Sequence, residues 1–185
     1  MKVPSTLCVD PMKFVHMMRE AGNVQRWHVV PTVNGGERVG QHTYGVLTIL
    51  IAMLGREEAS PGLLKAALFH DLPECKTGDC PAPTKWENPD LAKILKRVED
   101  RLHEDLGTKI NLSDKEHVLL AWADMLDLLF FCCEQRQLGN RAIEPVFWRG
   151  VDYLKEKYDI AQYSLAIGKQ ILDHLIIDGP FSQHR

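Results

Sequence analysis

The chain has 185 residues, 45% of them hydrophobic, and a formal net charge of −3. That is enough apolar material for one sizeable core, and the slight acidity excludes a general electrostatic grip on nucleic acid. No run is apolar for long enough to span a membrane, Met1–Ser5 lacks a signal-peptide core, and five cysteines without a Cys-x-x-Cys pair favour reduced thiols in a cytoplasmic setting.

Helix punctuation then recurs along the chain. Asp10-Pro11 sets a capping side chain before a proline at the first helical position, and Phe14, Met17, Met18 and Ala21 predict one buried face ending at Gly22. Trp27–Val33 is rich in β-branched residues but broken by Pro31 and without an evident partner strand, so it predicts an extended loop leading to Asn34-Gly35-Gly36. An apolar helix follows, with His42 near its start and Gly55 at its end. Ser60-Pro61 opens the next helix. Asn88-Pro89 opens another, whose Leu91, Ile94, Leu95, Val98 and Leu102 line one face before Gly107. Ser113–Glu116 fits a capping box, and Val118–Cys133, apolar nearly all round, is the expected central buried helix, closing near Gly139. Ile143, Val146, Phe147, Val151 and Leu154, then Leu165, Gly168, Leu172 and Leu175, predict C-terminal helices within 141–177. The expectation is an all-α bundle forming a single domain over residues 1–185.

The chemistry-bearing residues sit against this frame. His70-Asp71 ends the apolar run Leu63–Phe69. On a helix the two diverge by about 100° and reach one ion from two sides. Glu74 lies one turn on, and Pro73 predicts the end of regular helix, leaving all three at a pocket rim. Taken alone, the doublet fits an exposed helix end better. Asp124 lies in an apolar stretch, where an ionised carboxylate needs a cation, hydrogen bonds or an exit to solvent. Pairing with an arginine, or an outward position, also answers that need, and Asp127 is a competing carboxylate. On spacing alone His42 is no better a ligand than His28.

Together, His42, His70-Asp71 and Asp124 resemble the His…His-Asp…Asp signature of the HD-domain metal-dependent phosphohydrolases, an all-α family. The string His70–Lys85 resembles the longer HD-x-x-E-x-x-T-G-D-x-P-x-P-x-K motif of bacterial 5′-deoxynucleotidases and their phage relatives, and Arg26-Trp27 is similar to their Arg-Trp pair. The likeness covers roughly residues 12–130, the catalytic core. More narrowly, the loop from Arg26 to Pro31 is similar to that of the short phage enzymes called DatZ, which cleave dATP to deoxyadenosine and triphosphate in phages that replace adenine.

The resemblance implies one divalent transition metal (cobalt, manganese or zinc) on His42, His70, Asp71 and Asp124. It implies metal-activated water as nucleophile, with Glu74 orienting that water and Glu74 or Asp79 supplying the leaving-group proton. Arg26 and Lys85 would neutralise phosphate, with Arg19 and Lys76 as further contacts for a polyphosphate tail. Trp27 and Pro83 would wall the sugar and base, with Val29 at the base edge, so that a packed 2′ position excludes ribose. Gln41 stands where many relatives carry Glu, which weakens the expected support of His42. The implied partner is a small-molecule deoxynucleotide, with a homo-oligomer expected and neither nucleic acid nor membrane. The activity the resemblance implies first is hydrolysis of dATP to deoxyadenosine and triphosphate, depleting the dATP pool of a phage with modified adenine. The alternatives are a 5′-deoxynucleotidase acting on monophosphates and, from another class, a non-catalytic nucleotide-binding regulator. The presence of Glu74 and Asp79 argues against the latter, since a binder needs no proton-transfer groups.

Overall fold

The computed structural model describes residues 10–27, 29–157 and 165–180. These form nine helices: α1 (Pro11–Gly22), α2 (Val39–Leu54), α3 (Pro61–Phe69), α4 (Glu74–Thr77), α5 (Ala82–Glu87), α6 (Pro89–Leu106), α7 (Asp114–Gln137), α8 (Glu144–Lys157) and α9 (Ala166–Ile177). The all-α expectation holds, and among the described residues no helix is long and apolar enough to cross a membrane.

The starts follow the local chemistry. Asp10 accepts from the amides of Met12 and Lys13 at 3.0 and 3.1 Å. Ser60 Oγ accepts from Leu63 N at 3.0 Å. At α7, Ser113 N donates to Glu116 Oε2 at 2.9 Å while Glu116 N donates to Ser113 Oγ at 3.4 Å, so two orphan amides are satisfied reciprocally. Asn88 departs from the expectation. Its side-chain amide donates to the Thr84 carbonyl at 3.0 Å, closing α5 instead of capping α6.

The centre of the bundle is α7. Trp122, Leu126, Leu129 and Cys132 are wholly inaccessible, packed with Val46 and Leu50 of α2, Phe147 and Leu154 of α8 and Leu172 of α9. Each such side chain contributes about 1.5–3 kcal/mol through removal from water. Gly168 lets α9 approach closely, since a Cβ there would lie 3.0 Å from both Met53 Cε and Trp122 Cε3. A second, smaller cluster of Met17, Ala21 and Leu72, with Phe14 set edge-on to Phe69, fastens α1 to the segment after α3.

Two features go beyond the sequence reading. Helix α6 buries none of its residues: Leu91, Ile94 and Val98 are 38%, 50% and 38% exposed, so its apolar stripe lies on the surface rather than in the core. Amphipathicity marks a face for covering but not what covers it. The described residues of 27–33 are irregular, as expected, and the chain on either side of them pairs with itself. Gln25 and Arg38 form an antiparallel bridge, with Arg26 N donating to Glu37 O at 2.8 Å and Val39 N to Val24 O at 3.0 Å.

Candidate active site

Pro73 has no N–H to continue α3, and the helix stops at Phe69. The next amides bond one residue tighter, Leu72 N to Phe69 O at 2.9 Å and Glu74 N to Asp71 O at 3.1 Å. His70 and Asp71 therefore stand in a compact turn, not on helix, facing His42 in the first turn of α2 and Asp124 midway along α7.

Three of the four side chains close on one another, with donor atoms of His42, His70 and Asp71 all within 4.8 Å, and Asp124 reaches this group through His42. His42 Nε2 lies 3.2 Å from His70 Nε2, 3.0 Å from Asp124 Oδ1 and 3.5 Å from Asp71 Oδ2, and His70 Nε2 lies 3.3 Å from Asp71 Oδ2. Both imidazoles are oriented from behind: His42 Nδ1 meets Asp127 Oδ2 and His70 Nδ1 meets the Ala67 carbonyl, each at 2.7 Å. In the neutral form with the proton on Nδ1, which an ion would select, both Nε2 atoms would turn a lone pair toward the carboxylates. Metal–nitrogen bonds of about 2.0–2.1 Å put neighbouring ligand atoms about 3.0–3.4 Å apart, which matches these separations. The three donors of His42, His70 and Asp71 are thus spaced so that they could hold one divalent ion, with Asp124 beside His42 as a further carboxylate.

Charge tells the same story. Burial and Arg26 push His42 down, yet Asp124 and Asp127 outweigh them and raise it to about 10. Burial likewise lowers His70, and Asp71 more than reverses it. Against burial, His70 and His42 hold Asp71 well below the usual carboxylate range, and His42 holds Asp124 down. The site holds positive charge wherever it can. Asp124 itself is crowded by protein on most sides but has 46% of its side chain open to the cleft, so it finds both a cation and an exit.

Asp127 has the role that Gln41 was too weak to fill. It is buried 2.7 Å from His42 Nδ1, and its place exists because residue 45 is glycine: a Cβ there would lie 1.8 Å from Asp127 Oδ1. Gln41 Oε1 instead accepts from Arg38 N at 2.9 Å, closing the start of α2.

The opposite wall is irregular chain. Arg26 Nη1 donates to Asp71 Oδ2 at 3.0 Å, so the guanidinium abuts the donor set. Trp27 adopts φ 64, a conformation that costs a non-glycine residue on the order of 1–2 kcal/mol. Its ring stacks on Phe131 at 4.7 Å between centroids. Glu37, buried beneath both, is pushed up to about 7 by burial and Asp127 against the pull of Arg26. Although Glu37, His42 and Asp127 form a second tight group of possible ligands, their atoms are already bound to one another, to Arg26 and to Trp27.

Between the walls lies a cleft of ≈ 300 Å³, lined by the polar Arg26, Asp71, Glu74, Asp79, Lys85 and Asp124 and by the apolar Trp86, Met125, Leu128 and Tyr153. A small side recess adds Trp27, Pro81 and Pro83. Burial, Asp71 and Asp79 together raise Glu74 to about 9, against Arg26 and Lys85. Its Oε2 is buried without a hydrogen-bond partner among the described residues, as expected of a group awaiting water or substrate. Burial lowers Lys85, but Asp71, Asp124, Glu74 and Asp79 carry it above the ordinary lysine range. Val29 is apart from the other expected residues, 56% exposed and outside both cavities. Arg19 and Lys76 are exposed and do not line the cleft either. His28 lies outside the described residues.

The family model for YfbR-like 5′-deoxynucleotidases matches residues 13–160. The chain belongs to that family. Curated relatives include a 5′-deoxynucleotidase of Vibrio vulnificus, 28% identical over 149 residues that cover 69% of this chain and 76% of the relative. Another, from Vibrio atlanticus, is 24% identical over 166 residues, 78% of this chain and 84% of the relative. Among solved structures, the cyanophage S-2L HD phosphohydrolase DatZ, bound to dA and one catalytic Zn²⁺ ion, superposes with a TM-score of 0.62 at 17% identity, covering 85% of this chain and 96% of DatZ. A conserved protein from Pyrococcus furiosus gives 0.61 at 23% identity, covering 86% and 98%. This YfbR-like chain, which shares its fold with the phage HD phosphohydrolase and the archaeal protein, is thus a phosphoester hydrolase. In it the support residues Asp127, Gly45 and Glu37 join the expected set. A larger cavity of ≈ 350 Å³ also touches His70, between α6 and the segment after it, but Arg26, Glu74, Asp79 and Asp124 all line the cleft instead.

Proposed function

We propose that this cleft hydrolyses the 5′ phosphoester bond of deoxynucleotides, releasing a deoxynucleoside. The observation that carries the reading is Glu74: a buried, unpartnered carboxyl oxygen in the cleft that Asp71 and Asp124 of the donor set also line. His42, His70, Asp71 and Asp124 would hold one zinc, manganese or cobalt ion, which when bound acidifies water and draws charge from phosphoryl oxygens.

The residues divide the remaining work. Arg26 and Lys85 bind phosphoryl oxygens, Arg26 through its planar fork. Glu74 Oε2 orients the water that attacks phosphorus. As the bond from phosphorus to the 5′-oxygen breaks, that oxygen takes a proton from Glu74 or Asp79. Burial favours the protonated form of Glu74, which suits it to the donor role. Trp27 and Pro83 wall the sugar, and the apolar lining residues Trp86, Met125 and Leu128 are available to the base.

Monophosphates are the better-supported substrates. Arg26 and Lys85 line the cleft, whereas Arg19 and Lys76, which a polyphosphate tail would need, are on the surface. The curated relatives named as 5′-deoxynucleotidases point the same way. Cleavage of dATP to deoxyadenosine and triphosphate is the second reading, supported by the Arg26–Pro31 loop and by the dA that DatZ holds. We place the reaction in the cytoplasm. The test is a product-resolved screen of dAMP, dATP and their ribose counterparts with several divalent metals. Deoxyadenosine with phosphate supports the first reading, and deoxyadenosine with triphosphate the second. Pyrophosphate with dAMP would contradict both, because a different bond has broken.

A further inference from the structure

The segment carrying Arg26 and Trp27 has no helix to hold it, and Trp27 sits at φ 64. Arg26 and Trp27 share one buried anchor. The Glu37 carbonyl accepts from Arg26 N at 2.8 Å, and Glu37 Oε2 lies 3.3 Å from Arg26 Nε and 3.4 Å from Trp27 Nε1. The Glu37 side chain is 11% exposed, so solvent screens these contacts weakly. Stacking on Phe131 fixes the plane of the Trp27 ring but still lets it slide. A hydrogen bond at its edge stops the slide.

We propose that Glu37 is a positioning residue that locks the Trp27 ring and the Arg26 guanidinium in register, and thereby sets how strictly the cleft refuses a 2′-hydroxyl. This rests on the reading above, in which Trp27 walls the sugar and Arg26 binds phosphate. Rejecting one extra oxygen requires a wall held to within about 0.5 Å, because a loosened ring moves aside. The two functions of Glu37 are separable. Glutamine keeps an acceptor for the indole N–H but removes the charge facing Arg26, whereas alanine removes both.

The experiment measures kcat and KM for dAMP and AMP with metal-loaded wild type, Glu37→Gln and Glu37→Ala, with metal content and melting temperature alongside. Glu37→Ala is expected to raise KM and to cut the deoxy-to-ribo preference by about tenfold, a loss equivalent to one good hydrogen bond. Glu37→Gln, close to isosteric, is expected to raise KM while keeping most of the preference. If wild type discriminates and Glu37→Ala discriminates equally well, the inference is overturned while the functional reading stands. If the alanine variant does not fold, Glu37→Gln decides, and a wild-type KM overturns the inference. If wild type hydrolyses no deoxynucleotide, the functional reading falls and takes this inference with it.

Discussion

On one side of the cleft, His42 and Asp124 stand on α2 and α7, whose inner faces interlock in the centre of the core; on the other, Arg26 and Trp27 stand on an irregular segment tied down by a few individual bonds. The helical wall presents an imidazole and a carboxylate 3.0 Å apart that the proposed function assigns to an ion. Packing holds its backbone in place, and what remains adjustable is the side chains behind the ligands. The loop wall presents the groups that would select a substrate, and a φ of 64 at Trp27 means that its shape must be imposed from outside. Under the proposed function, binding of the ion and choice of substrate fall to parts of different stiffness, and damage to each should read out differently.

The largest effect should come from the support behind the metal wall. Asp127→Ala leaves His42 Nδ1 without its acceptor, and loss of such a partner costs roughly 10- to 100-fold in metal affinity. A competition titration with zinc checks this; unchanged affinity would erase the distinction drawn for that wall. Gly45→Ala should act through the same pair. Alanine favours helix by about 1 kcal/mol over glycine, yet its Cβ would fall 1.8 Å from Asp127 Oδ1. Weaker metal binding and a lower melting temperature are expected, and a more stable protein with full affinity would contradict the account.

A pH series addresses the groove between the walls. In metal-free protein Glu74 is pushed up to about 9, so the folded state binds a proton that the unfolded chain releases in the ordinary carboxylate range. Its contribution to stability is therefore present at low pH and declines as pH rises toward 9. Glu74→Gln should flatten that decline, as measured by denaturant unfolding at pH 6 and pH 9; an unchanged slope would place the titration elsewhere. The smallest effect belongs to the loop wall. Gln135 of α7 accepts from Val33 N at 2.7 Å and donates to Val33 O at 3.2 Å. Gln135→Ala should destabilise the protein by about 1–2 kcal/mol and raise KM more than it lowers kcat.

The two walls also differed in how far they could be read in advance. Helix starts at Asp10, Ser60 and Ser113 follow from local capping chemistry, and the burial of α7 follows from its composition. His70, Asp71 and Glu74 were prominent because polar residues ended an apolar run. The exposed stripe of α6 was not legible, because a helix period says which residues share a face but not whether anything packs against it. Nor was Asn88, whose side chain turned back to the helix it follows. The anchors were the least legible of all. Asp127 and His42 are 85 positions apart, and their pairing leaves a trace only in a glycine at residue 45 and a carboxylate on the inner face of α7. Val29 shows the converse: proximity to Trp27 in sequence suggested a wall, while the turn at Trp27 leaves Val29 on the surface.

The central claim is that His42, His70, Asp71 and Asp124 act as one metal centre for hydrolysis in this cleft. Titrating metal-stripped protein with zinc, manganese or cobalt while following deoxynucleoside release tests it most directly. The account predicts activity that saturates at about one equivalent per chain and is lost, together with binding, in His70→Ala and Asp124→Ala. Full hydrolysis by stripped protein in the presence of a chelator, or by His70→Ala, would contradict it.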